Sequence, residues 1–203
     1  MGEEVDRMKI GLMGGTFDPI HIGHLLAAQS VCEELELDEV WFMPANVPPH
    51  KEQSTGAAAA EQRLEMVRLA VEGHDRFRTT AVELEKGGVS YSIETVLLLR
   101  DRHPGHEFYY IIGADMVRYL PKWVRIEELA KLVTFVGLQR PGYDAGADEL
   151  PPYIRTALRL ASMPQIELSS TLIRERRAAG LPVRYMVPDR VNKYIEVNRL
   201  YEP

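Results

Sequence analysis

Two short segments combine residue types that bind phosphate. The first is Gly14-Gly15-Thr16-Phe17-Asp18-Pro19-Ile20-His21-Ile22-Gly23-His24-Leu25. Its paired glycines let a backbone approach a ligand closely and take positive φ. His21 and His24 straddle the start of a predicted helix, so both imidazoles can face one point, and Gly23 between them leaves room for a flat or bulky ligand. The N–H groups and positive dipole end of a helix start suit an anion. The second segment is Leu168-Ser169-Ser170-Thr171-Leu172-Ile173-Arg174. Ser169 or Ser170 is a natural N-cap. Consecutive hydroxyls and N–H groups there make an anion site, and Arg174, a turn further on, can reach back with charge-assisted hydrogen bonds.

Taken singly, each feature has an ordinary explanation. A loop histidine is usually a satisfied surface group, and a serine-capped helix with a solvated arginine is common. Gly14-Gly15 is not the GxGxxG fingerprint of dinucleotide folds, which this sequence lacks. The joint occurrence is what points to chemistry. Two histidines could also hold zinc, but no further ligands stand at suitable spacing, and no protein metal site is expected. The single cysteine, Cys32, can form neither an internal disulfide nor a cluster. It falls in a helical pattern and reads as a packing residue.

A third set of residues faces a different partner. Gly113-Ala114-Asp115-Met116 follows a predicted strand, and Leu120-Pro121-Lys122-Trp123 comes soon after. Pro44 to Lys51 follows another strand and contains His50 and Lys51, and Tyr91-Ser92 opens a helix. A tryptophan beside a cleft can stack on an aromatic ring. A lysine can pair with a phosphate, and a hydroxyl at a helix start can bind a carboxylate. Alone, Trp123 reads as core and Lys51 as solvated.

The elements that must position these groups follow from periodicity. Strands are predicted at Met8–Met13, Val40–Met43, Phe77–Leu84, Phe108–Ile112, Val133–Leu138 and Gln165–Leu168. Helices are predicted from Gly23, over Glu61–Val71, Ser92–Arg100, Pro152–Leu160, Ser169–Ala179 (closed by Gly180) and Pro188–Leu200. Pro141 to about Asp148 reads as a surface loop. Alternating strands and helices predict a doubly wound, mainly parallel α/β sheet with a small C-terminal helical portion. With neither repeat nor linker, residues 1–203 are expected to form one domain. Ligands of such sheets bind beyond the carboxyl ends of the strands, where strand order reverses. Gly14-Gly15, Gly113 and Ser169 all follow predicted strands, so their motifs can converge there.

Composition limits the partners. A net charge of −6 over 203 residues argues against a broad nucleic-acid surface but not against a small anionic ligand. No apolar run approaches the roughly 18 residues of a membrane span. Met1 to Lys9 is charged and lacks the apolar stretch of a signal peptide. Together with the lone cysteine, these features lead us to expect a cytoplasmic protein. Homo-oligomerisation is left open.

The first segment resembles the HxGH signature of the nucleotidylyltransferase superfamily, and Leu168–Arg174 resembles its ISSTxIR motif, with Leu168 in place of the first isoleucine. That superfamily implies a Rossmann-like fold. It implies ATP contacts from Gly14, Gly15, Thr16, Phe17, His21, Gly23 and His24, with the second motif, Ser169, Ser170, Thr171 and Arg174, on the β- and γ-phosphates. With the third set, the chain from about Lys9 to the last helix resembles the bacterial nicotinate-nucleotide adenylyltransferases. These join ATP and nicotinate mononucleotide into deamido-NAD and pyrophosphate. The resemblance implies that Trp123 stacks on the nicotinate ring and that Ser92, with neighbouring Tyr91, receives the ring carboxylate; many relatives have threonine at the position of Ser92. It also implies that His50 and Lys51 contact the mononucleotide phosphate, that Gly113 and Asp115 contact the ATP ribose region, and that Mg2+ accompanies ATP. His21 and His24 would be the catalytic pair, stabilising charge rather than acting as bases, because the attacking phosphate is already ionised.

Four alternatives are weighed, and one is nicotinamide rather than nicotinate specificity, which a single carboxylate-binding site separates. Pantetheine-phosphate adenylyltransferase shares the HxGH and a related C-terminal motif. A class I aminoacyl-tRNA synthetase shares a literal HIGH, but a KMSKS segment, an anticodon-binding length and a basic face are lacking. A non-catalytic nucleotide-binding regulator would keep ATP binding without transfer.

Overall fold

The computed structural model describes residues 7–47, 57–139 and 146–202, and every structural statement below concerns these. The chain runs β1 (Lys9–Gly15), α1 (Ile22–Glu34), β2 (Glu39–Pro44), α2 (Ala60–Val71), β3 (Phe77–Thr79), α3 (Val82–Lys86) and α4 (Ser92–Arg102). It continues through β4 (Glu107–Gly113), α5 (Ala114–Val117), α6 (Ile126–Leu132), β5 (Thr134–Gln139), α7 (Pro152–Thr156), β6 (Leu158–Ser162), α8 (Ser170–Ala178) and α9 (Asp189–Val197). Single 3-10 turns lie at Leu120–Lys122 and Ala147–Glu149.

The six strands form one sheet in the order β3-β2-β1-β4-β5-β6, and every pair is parallel. The order reverses between β1 and β4, the switch point at which such sheets open a crevice. Strand pleating sends alternate side chains to opposite faces. Phe108, Tyr110 and Ile112 of β4 therefore join one core with Ile10, Leu12, Leu99 and Phe135, while Ile111 joins the other with Val40, Phe42 and Val136. Near-continuous apolar strands are what a sheet covered on both faces requires. α9 packs on α2, and Val191 and Ile195 are fully buried in the core that also holds Phe17 and Ile20. Cys32 is buried in α1, as a packing residue would be.

Three predicted elements differ from expectation, and the short helices α5 and α6 were not predicted. The strand predicted at Phe77–Leu84 stops at Thr79, and α3 follows. The Thr80 hydroxyl accepts from the Val82 N–H at 3.3 Å, turning the chain, and the helix then buries Val82 with the carboxyl group of Glu83. The helix predicted at Pro152–Leu160 ends at Thr156, and Leu158–Ser162 is instead the edge strand β6, paired with β5. Only Ala161 of that strand is buried, so the apolar alternation that marks a strand is missing. The strand predicted at Gln165–Leu168 is irregular, and Ser169 follows this extended segment as the N-cap of α8, its Oγ accepting from the Leu172 N–H at 3.2 Å. Of the loop predicted at Pro141–Asp148, residues 141–145 lie outside the described residues, and Gly146 enters the 3-10 turn with φ +66°. No described helix is long and apolar enough to cross a membrane.

Candidate active site

A cleft of about 1160 Å3 opens at the carboxyl ends of β1 and β4. It collects residues from every predicted ATP motif: Gly14 to Phe17, His21, Gly23, His24, Gly113, Asp115, Ser169 to Thr171 and Arg174. Trp123 lines it as well.

The glycines act differently from expectation. Neither Gly14 nor Gly15 has positive φ; the left-handed residue is Phe17, at φ 49°. A Cβ on Gly15 would lie 3.1 Å from the Phe17 ring, which that backbone turn folds back beneath it. A Cβ on Gly14 would lie 3.0 Å from the hydroxyl of Tyr110. The pair therefore makes space for two aromatic side chains. Gly23 does the same for a histidine, since its Cβ would meet two atoms of the His21 ring at 3.1 Å.

His21 is the N-cap of α1 in extended conformation, and His24 lies a turn on. The two rings stack with centroids 3.7 Å apart. The His21 backbone N–H donates to His24 Nδ1 at 3.2 Å. That bond makes Nδ1 an acceptor, so in neutral His24 the proton sits on Nε2, which becomes the donor. The Phe17 ring edge packs on His24 at 5.1 Å and steadies it. His21 is buried at 6 % exposure, and burial lowers its pKa to about 4. Its Nδ1 is buried and has no hydrogen-bond partner among the described residues.

The second motif is tied to the turn that carries the first. Ser170 Oγ donates to the Pro19 carbonyl at 2.9 Å, and Arg174 Nη1 donates to the Asp18 carbonyl at 2.8 Å. Arg174 Nη1 also stands 4.0 Å from the Asp18 carboxylate. Arg63, buried at 4 % exposure, donates to the Thr16 carbonyl at 2.7 Å and the Asn46 carbonyl at 3.3 Å. Burial lowers the Arg63 pKa, and the nearby Asp18 charge opposes that shift. Arg63, Asp18 and Tyr110 were not singled out from sequence. Asp18 stands inside the quoted motif, but Arg63 on α2 and Tyr110 on β4 give no signal until the sheet is assembled.

At the other end of the cleft, the Trp123 ring packs edge-on against Tyr110 at 5.6 Å and Phe135 at 6.1 Å. Its buried Nε1 has no hydrogen-bond partner among the described residues. Tyr110 shares a 2.9 Å hydrogen bond with Ser92 Oγ at the start of α4, where Tyr91 is the N-cap. Burial first, and the Glu83 charge second, push the Tyr110 phenol well above its ordinary range. Tyr91 and Ser92 do not line the cleft wall themselves; Ser92 reaches it through Tyr110. His50 and Lys51 lie outside the described residues.

The sequence and fold are similar to those of known proteins. A cytidylyltransferase-like family model matches residues 12–176. A nicotinate-nucleotide adenylyltransferase of Bacillus subtilis is 46% identical over 194 residues, 96% of this chain and 98% of that protein. A probable nicotinate-nucleotide adenylyltransferase of Geobacillus kaustophilus is 51% identical over 95% of this chain and 86% of its own length. A Plasmodium falciparum nicotinic acid mononucleotide adenylyltransferase, solved as a complex with NaAD, superposes with a TM-score of 0.74 at 17% identity, covering 96% of this chain and 98% of that one. At that identity, the likeness establishes the shared fold.

Proposed function

The chain belongs to the cytidylyltransferase-like family and, within it, to the nicotinate-nucleotide adenylyltransferases, and from that premise we propose how its cleft performs the transfer. The enzyme moves an AMP unit from ATP to nicotinate mononucleotide, giving deamido-NAD and pyrophosphate in NAD biosynthesis. A phosphate oxygen of the mononucleotide attacks the α-phosphorus of ATP, the bond to the β-phosphate oxygen breaks, and pyrophosphate leaves with that electron pair. The nucleophile is already an anion, so no general base is required. What remains is positioning and charge stabilisation.

His24 is the proposed donor to the α-phosphate. Its Nδ1 accepts from the His21 N–H, which sets the Nε2–H tautomer proposed to donate to an oxygen that gains charge. His21, with its pKa lowered by burial, enters as a neutral imidazole at neutral pH. Stacked rings could not both be protonated without mutual repulsion. Ser169, Ser170, Thr171 and Arg174 are proposed to hold the β,γ end, and Gly113 with Asp115 the ribose region. Trp123 is proposed to meet the nicotinate ring, with Ser92, Tyr91, His50 and Lys51 completing the acceptor side.

A divalent metal accompanies ATP in this family, and Mg2+ is the ion proposed here. It enters as part of the substrate, MgATP, because Mg2+ readily keeps water and phosphate ligands. Among the described residues no group of three or more His, Cys, Asp or Glu is placed to hold a metal. We take the whole chain as one nucleotidyltransferase domain. A reducing, cytoplasmic setting suits its buried free thiol.

The observation that carries this reading is the joining of both phosphate motifs across one turn, through the carbonyls of Asp18 and Pro19. The test is pyrophosphate release from MgATP with nicotinate mononucleotide and, in parallel, nicotinamide mononucleotide. Release with the first and much less with the second is expected. ATP binding without release would mark a regulator, and a preference for nicotinamide would overturn the assignment of Ser92.

A further inference from the structure

The turn that carries His21 is also held from the far end of the chain. Tyr201, after α9, donates its hydroxyl to Asp18 Oδ1 at 2.7 Å, and both residues are buried. The Ala58 N–H, just before α2, donates to the same oxygen at 3.1 Å. Burial first, and the Asp18 charge second, raise the Tyr201 phenol far above its ordinary range, so it stays a donor. Tyr201 adopts φ 64° and Arg199 φ 49°, a backbone region that non-glycine residues occupy only when their surroundings demand it. The buried ring and its hydroxyl bond supply that demand.

We propose that Tyr201 is a positioning residue for ATP, acting through Asp18 on Arg174. This rests on the assignment of Arg174 to the β,γ-phosphates given above. The chain of contacts is short. The Tyr201 hydroxyl and the Ala58 N–H draw the Asp18 carboxylate toward α2 and the C-terminal segment. Arg174 consequently docks on the Asp18 main-chain carbonyl at 2.8 Å, while its Nη1 stays 4.0 Å from Oδ2. The guanidinium is thereby anchored through Nη1 on the carbonyl, with Nη2 donating to Thr171 Oγ1 at 3.4 Å, and its pair with the Asp18 carboxylate stays long. Arg174 lines the cleft, where its guanidinium can offer N–H groups to a phosphate. Without the tyrosine hydroxyl, the carboxylate has lost a donor, and its nearest replacement is Arg174. A close Asp18–Arg174 pair would draw the cation away from the phosphates. The acceptor end, built on Tyr110 and Trp123, lies outside this chain of contacts.

The experiment measures the affinity of the intact enzyme for Mg2+ with α,β-methylene-ATP, whose bridge cannot be cleaved, and the KM for nicotinate mononucleotide. Tyr201→Phe is expected to weaken the analogue about ten-fold, the scale of one hydrogen bond to a charged group, with the acceptor KM unchanged. Adding Asp18→Asn removes the charge that would capture Arg174. The double variant should therefore bind the analogue more tightly than Tyr201→Phe alone, a coupling that simple loss of packing does not produce. Equal weakening of both substrates, no weakening, or no recovery in the double variant overturns the proposal. If Tyr201→Phe does not fold at low temperature by circular dichroism, Asp18→Glu, which displaces the same bond, must show the same split between ATP analogue and acceptor. Failure of the unsubstituted enzyme to bind the analogue would instead overturn the ATP assignment of the cleft.

Discussion

The imidazoles of His21 and His24 differ in what surrounds their nitrogens, and two predictions follow from that difference. His24 has its tautomer set by a backbone N–H. Removing one aimed donor typically lowers turnover by about 10²–10³. His24→Ala should do so with the fold intact, and near-normal turnover would exclude His24 from the chemistry. His21 is neutral in the folded protein down to about pH 4, whereas an unfolded histidine takes up its proton near pH 6.5. Between these values the unfolded chain binds more protons, so stability falls as pH drops through the window, by on the order of 2–3 kcal/mol. Urea unfolding of His21→Asn between about pH 7 and pH 4.5 should lack that portion of the acid loss. An unchanged pH dependence would show that His21 is not held neutral by burial. At this scale the chemistry-bearing types were legible in the sequence, because HxGH and Ser-Ser-Thr with arginine are local patterns. The partners were not. Arg63 and Tyr201 meet Asp18 and Thr16 only after α2 and the C-terminal segment have folded back on the turn.

Among the elements, the close approach of β5 to α5 makes the sharpest demand. A Cβ on Gly137 would stand 2.8 Å from Val117 Cγ2 and 3.0 Å from Leu160 Cδ2. Val117 is fully buried and β-branched, with little rotamer freedom in a helix. Gly137→Ala therefore has to push α5 away from the sheet. Overpacking of this kind costs about 1–3 kcal/mol, so the melting temperature should fall by a few degrees to about ten. α5 also carries Asp115 at the cleft, so the KM for ATP should rise with the thermal loss. A Gly137→Ala enzyme with an unchanged melting temperature would mean that α5 yields freely. The elements that pack on both sides were the legible ones. β1, β2, β4 and β5 read as apolar runs because both faces of the sheet are covered. β6 escaped because four of its five residues stay at least partly accessible on the sheet edge. α3 escaped because it is five residues long and one of its two buried residues is Glu83, held by the Thr95 hydroxyl at 2.9 Å, and apolar periodicity cannot register a buried carboxyl group.

Over the whole molecule, the two cores lie on opposite faces of one sheet, and the strands themselves contribute to both. Ile195 of α9 is fully buried on one face and Leu129 of α6 on the other. The two tryptophans, Trp41 and Trp123, both pack against the Leu129 side. If the chain is one domain, damage on the face without tryptophan must still be felt by both indoles, because no strand can lose one covering and keep its pairing. Ile195→Ala should cost about 2–5 kcal/mol, a drop of roughly 5–15 °C in melting temperature. Tryptophan fluorescence and far-ultraviolet circular dichroism should report the same midpoint, and Leu129→Ala should behave alike from the other side. A circular dichroism transition that moves while the fluorescence midpoint stays in place would divide the chain into two units. It would also separate α9 and Tyr201 from the sheet that carries the HxGH turn, so the same melt bears on whether the C-terminal segment can act on ATP at all.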